Sequence, residues 1–255
     1  MKVAIGPRRL AYEHVGQGPP VVLLHAFPFD SRMWRGTAAA LASKAQVITP
    51  DMRGFGQSEL GPGDFSIADL ADDVAALLDT LKLPAATVGG VSMGGYVALA
   101  FAQRHRDRLH SLILADTKAR ADSPEERQGR EASIALVEKQ GVAALLAKQI
   151  PRLLSPSAGD SLRAELRNLG TQPARTVIAG IRALRDRPDR TSELPTIKVP
   201  CLVVVGSDDA LSSPTEVLAM SAAIPHARVV QIPGAGHLSN LENPDAFAGG
   251  LRGFI

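Results

Sequence analysis

The chain of 255 residues reads as an α/β protein built on a mostly parallel, twisted sheet flanked by helices. Two observations carry that expectation. Short apolar runs alternate along the chain with stretches whose apolar residues recur at helical spacing. The runs also lack a polar alternation, as expected of strands covered on both faces. A third observation divides the chain, because the rhythm stops after Asp116 and resumes near residue 196.

Residues 2–5 and 8–15 predict an opening hairpin. Strands follow at 21–26, 46–50, 86–91, 110–115, 201–206 and 227–232. Between them, 31–43, 66–81 and 93–105 read as helices. In 66–81, Ile67, Leu70, Val74, Leu77, Leu78 and Leu81 form one stripe, with Asp69, Asp72 and Asp73 off it. A last helix over 244–255 is opened by Pro244. From 117 to 195 the pattern is helical without a convincing strand, punctuated by Pro124, Pro151, Pro156, Pro173 and Pro188. We therefore expect a core of residues 1–116 and 196–255, with a helical cap of residues 117–195 inserted over the sheet.

Apolar residues make up 45% and aromatic ones only 4%, so the core is built from Ala, Leu and Val. A net charge of +2 gives no field that would favour nucleic acid or a membrane surface. No stretch approaches the ~20 apolar residues that span a bilayer, and residues 1–9 lack the apolar run of an export signal. One cysteine, Cys201, allows no intrachain disulfide, so a cytoplasmic setting is expected.

The strongest chemical signal is Gly90-Val91-Ser92-Met93-Gly94. It fits the turn that lifts a nucleophilic serine from a strand end to a helix start. Side chains two residues either side of the serine would collide there, so glycine is required. The apolar run 86–91 before it and the helical pattern 93–105 after it supply that context. The helix N-terminus adds free N–H groups and positive potential beside the hydroxyl.

A serine hydroxyl needs a base in hydrogen-bond reach, and the base needs an orienting partner. Among six histidines, His237 stands in a glycine-rich loop after the last strand, Gly234-Ala235-Gly236-His237-Leu238. His14, His105, His110 and His226 sit in polar or helical settings and read as ordinary residues. Two carboxylates, Asp208 and Asp209, follow the strand ending at Gly206, and Asp116 ends an earlier one. Asp209 is favoured, since three residues beyond the strand-end glycine leave room to turn toward the histidine.

The chain order Ser92, Asp209, His237 and several further motifs resemble those of the α/β-hydrolase fold superfamily, in particular its small bacterial esterases and enol-lactonases. His25-Ala26-Phe27-Pro28 resembles the H-G-x segment of the oxyanion hole. Asp51-Met52-Arg53-Gly54-Phe55-Gly56-Gln57-Ser58 resembles the D-x-R-G-x-G-x-S turn. Gly206-Ser207-Asp208-Asp209 resembles G-x-x-D, which supports Asp209, and Gly234-Ala235-Gly236-His237 resembles the terminal G-x-G-H. The likeness spans nearly the whole chain. It implies a Ser92–His237–Asp209 triad and an oxyanion hole from the Phe27 and Met93 N–H groups. It implies a small ester or lactone as substrate, with no metal or cofactor. Ala26 departs from the usual glycine and would be strained if its φ were positive.

Phe27, Met93, Leu238 and Trp34 are expected to line the substrate pocket. His25, Asp51 and Arg53 are expected to hold loops by hydrogen bonds. Residues 118–190 carry fourteen Lys/Arg against nine Asp/Glu, which would suit an anionic substrate or would merely be solvated helix faces. Two other functions fit the same motifs: carbon–carbon hydrolysis or peracid formation on the same triad, and a ligand receptor with little turnover. A dehalogenase would place aspartate, not serine, at position 92.

Overall fold

Eight strands form one sheet in the order β1-β2-β4-β3-β5-β6-β7-β8 in the computed structural model, which describes residues 1–255. They are β1 (Lys2–Ile5), β2 (Arg8–Val15), β3 (Pro20–Leu24), β4 (Gln46–Pro50), β5 (Ala86–Val91), β6 (Leu109–Ala115), β7 (Cys201–Gly206) and β8 (Arg228–Ile232). The hairpin β1–β2 is antiparallel, as is β2 against β4; every other pairing is parallel. This is an α/β-hydrolase fold with a mostly parallel sheet.

The strands are apolar throughout because successive side chains enter two different cores. On β3, Val22 and Leu24 join one cluster, while Val21 and Leu23 join the other. On β7, Val203 and Val205 oppose Leu202 and Val204 in the same way. Helices α2 (Ile67–Thr80) and α3 (Met93–Arg104) cover the first face, and α1 (Arg35–Leu41) and α9 (Pro244–Arg252) cover the second.

Between β6 and β7 lie α4 (Pro124–Leu153), α5 (Asp160–Leu169) and α6 (Ala174–Arg185) and no strand. Helices α7 (Pro214–Ala222) and α8 (Ser239–Glu242) follow β7 and β8. Gly141, at φ 79° and ψ 175°, breaks α4 into two rods. The inserted helices rest on the loops that leave the sheet. Thr176 Oγ1 donates to Gly54 O, the Gly56 N–H donates to Gln172, and the His237 N–H donates to Leu153 O. No helix is long and apolar enough to cross a membrane.

Three elements differ from the sequence reading by two residues or more. The strand expected over 21–26 ends at Leu24, because residues 26–29 form a turn closed by Phe29 N donating to Ala26 O. The helix expected over 31–43 starts as a 3-10 turn at Ser31–Trp34, capped by Asp30, and ends at Leu41. The last helix stops at Arg252.

Candidate active site

The strand order reverses at β3: β4 lies on one side of it and β5 on the other. In open parallel sheets the crevice at such a reversal, beyond the C-terminal strand ends, is where ligands bind. The segments beyond β3, β5, β6, β7 and β8 carry Phe27, Ser92, Asp116, Asp209 and His237 respectively.

Ser92 bridges β5 and α3 with φ 56° and ψ −112°, a conformation side chains rarely adopt. The sharp turn brings Gly90 and Gly94 against the chain. A Cβ on Gly94 would stand 2.1 Å from Leu24 O, and one on Gly90 would stand 2.6 Å from the same oxygen. Ser92 N donates to Ala115 O, and Thr117 Oγ1 donates to Ser92 O, so β6 holds the strained residue from beside.

The structure brings Ser92, His237 and Asp209 together. His237 Nε2 lies 2.8 Å from Ser92 Oγ. His237 Nδ1 lies 2.9 and 3.1 Å from the two Asp209 oxygens. Asp209 also accepts from the Leu211 and Ser212 N–H groups, so its carboxylate is fixed. Asp209 and His237 are buried while Ser92 keeps partial exposure. Asp208, by contrast, is exposed and accepts from the adjacent Ser207 hydroxyl.

Met93 is the first residue of α3, where helix N–H groups have no internal acceptor. Neither the Met93 nor the Phe27 amide donates to another backbone oxygen. Because β3 and β5 are paired Leu24 to Gly90, the Phe27 turn and the Ser92 turn leave the sheet side by side. Ala26 is not among the residues with positive φ, so alanine is unstrained there.

His25 is fully buried. Its Nε2 accepts from Met52 N at 2.9 Å and its Nδ1 donates to Ala26 O at 3.1 Å, which defines the neutral ring. Burial pushes its pKa down, in keeping with that form. Asp51 accepts from Ser31 N and Gln57 N, and Arg53 forks onto Asp73. These three residues tie loops together, as expected from the sequence.

Of the pocket candidates, Phe27 meets the edge of Phe55 and faces Gly180 of α6. Met93 and Leu238 are fully buried beside Ser92 and His237. Trp34 is enclosed in the second core against Phe247 of α9, ring centroids 5.9 Å apart. The inserted arginines are largely matched locally. Arg120 pairs with Glu126 and Glu216, Arg185 with Asp186 and Glu131, and Arg187 with Asp122 while lying over the Tyr96 ring. A cleft of about 440 Å³ is polar, lined by residues such as Glu13, Arg32 and Asp51, and includes none of the three grouped residues. The chemistry, not the cavity size, locates the site.

Two residues round His237 escape a reading of the sequence. Ser239 donates to Asp116 through both its N–H and its hydroxyl. Glu242 accepts from Gly236 N and Ser155 N, joining the histidine loop to the inserted helices. Asp116, one of three carboxylates open as the acid, bonds to neither His237 nor Ser92. It accepts from Gly206 N at 2.8 Å and from Ser239. No motif marks Ser239 or Glu242, whose partners Asp116 and Ser155 lie 123 and 87 residues away in the chain.

The chain belongs to the α/β-hydrolase fold family, whose model matches residues 19–244. It is an enzyme of that class. It is 31% identical over 241 residues to 3-oxoadipate enol-lactonase 1 of Acinetobacter baylyi, covering 93% of this chain and 88% of that one. Among solved structures it is similar to a thermophilic esterase from Thermogutta terrifontis determined with malate bound, at TM-score 0.95 and 39% identity over 100% of this chain and 97% of that one. It is also similar to the enol-lactonase of Burkholderia xenovorans LB400, at TM-score 0.93 and 32% identity, covering 100% and 99%.

Proposed function

We propose that the protein hydrolyses small carboxylic esters or lactones through a covalent acyl-enzyme on Ser92. The observation that carries this reading is the relay of distances, 2.8 Å from His237 Nε2 to Ser92 Oγ and 2.9 Å from Nδ1 to Asp209. The likeness to named esterases and enol-lactonases supports the same class of substrate.

In this reading His237 takes the Ser92 proton as Oγ attacks the substrate carbonyl. Asp209 keeps the Nδ1 proton in place and stabilises the imidazolium. The Phe27 and Met93 N–H groups hold the developing oxyanion. Collapse expels the alkoxide, which His237 protonates. In a lactone that alkoxide stays tethered to the acyl group. Water, deprotonated by His237, then attacks the acyl-enzyme, frees the acid and restores Ser92. Residues 117–195 act as the cap that selects the acyl group, with Phe27, Met93 and Leu238 as the apolar wall nearest the reacting atoms. Trp34 belongs to the core and takes no part. The single buried cysteine suits a cytoplasmic setting.

Intact-mass analysis after a fluorophosphonate tests the nucleophile. One adduct on Ser92 is expected, absent in Ser92→Ala and lost in His237→Ala. A folded wild-type protein that takes no adduct would sink the reading. Turnover on a panel of p-nitrophenyl esters, lactones and diketones then separates ester and lactone hydrolysis from carbon–carbon hydrolysis.

A further inference from the structure

Asp116 is a fully buried carboxyl group for which the proposed reaction has no use. It sits at φ 46° at the end of β6, a left-handed backbone that aspartate adopts more readily than most side chains. Its Oδ1 accepts from Gly206 N, at the end of β7, where the segment bearing Asp209 begins. Its Oδ2 accepts from Ser239 N at 3.2 Å and from Ser239 Oγ at 2.5 Å, two residues beyond His237. One side chain therefore fastens both segments that carry the acid and the base.

We propose that Asp116 is a positioning residue that holds the Asp209 and His237 segments in register. It touches no reacting atom. It acts through the histidine, and the inference rests on the hydrolase reading for its consequence in catalysis.

The electrostatics support this. Burial pushes the Asp116 pKa up to about 7, and the Asp209 charge adds to the rise. His237 and the bonds from Ser239 and Gly206 oppose it. Asp209 faces Asp116 from the segment after β7, and His237 faces it from the loop after β8. On its own segment the next charged residue is Lys118, whose ammonium is turned to Glu126 and Glu216. No cation bonds to Asp116. The donors on Gly206 and Ser239 are therefore what offsets its burial, so the carboxyl cannot leave either segment without cost.

The test follows the His237 Nδ1 proton, which reports the bond to Asp209, by 1H–15N NMR, assigned by its loss in His237→Gln. Asp116→Asn keeps the shape but loses a bond from Gly206 or Ser239, and is expected to shift or broaden that resonance. Ser239→Ala removes one of the bonds to Asp116 and should act the same way to a smaller degree. It carries the test if Asp116→Asn does not fold. An Asp116 that only fills space would leave the resonance at its wild-type position and width in folded variants, and that result overturns the inference. The measurement needs no substrate. An unlabelled Ser92 would thus defeat the hydrolase reading without touching this result, and the reverse also holds.

Discussion

Gly94 must be glycine for a reason confined to a few atoms. Its missing Cβ would lie 2.1 Å from Leu24 O, and that oxygen belongs to a strand paired on both sides. Neither partner can swing away. Gly94→Ala is expected to lose about 2 kcal/mol of stability in urea denaturation. It should also lower kcat/KM about a hundredfold, because α3 can accommodate the methyl group only by moving Ser92. A variant of wild-type stability and rate would show that the turn has slack. His25 illustrates the opposite case. It has the residue type of a base and lies near the site, yet both ring nitrogens are engaged by backbone, so it serves as a strut.

The helices obey local rules. Ser66 caps α2 in a capping box, its hydroxyl accepting from Asp69 N while the Asp69 carboxylate accepts from Ser66 N. Ser66→Ala should cost about 1 kcal/mol, read by thermal or chemical denaturation, with kcat/KM unchanged because α2 carries none of the grouped residues. Loss of activity in that variant would contradict the separation of site from scaffold. The inserted helices follow the same rules, Ser123 and Glu126 forming a second capping box ahead of α4. Their placement does not follow from those rules. It depends on contacts with distant loops, such as Leu153 with His237 and Glu242 with Ser155.

Charge links the whole molecule to pH. Asp116 binds its proton more tightly in the folded chain than in the unfolded one, since its pKa rises from 3.8 to about 7. The stability that comes from this is complete below the unfolded value and is lost as pH rises through the folded one. Asp116→Asn lacks the titration, so the variant should gain on wild type between about pH 4 and pH 7 by on the order of a few kcal/mol. Melting temperatures of both proteins across that range measure the gap. The amide also loses a bond from Gly206 or Ser239, which offsets the two curves by an amount independent of pH. A gap of constant size would show that Asp116 is ionised throughout.

The strands, most of the helices and the three grouped residues were legible in the sequence because each rests on a local constraint. Short unbroken apolar runs mark the strands and a 3.6-residue period marks the helices. Glycines mark the turns on which Ser92 and His237 stand, and the strand-end Gly206 marks the approach to Asp209. The sequence favoured Asp209 over Asp208 and Asp116, and tertiary structure set its carboxylate against the imidazole. Tertiary structure alone decided that Trp34 is core, that Gly141 breaks α4, and that Ser239 and Glu242 brace the histidine loop. The physical reason is that burial and a hydrogen-bond partner are properties of a place in space. Residues distant in the chain leave no local pattern by which to find one another.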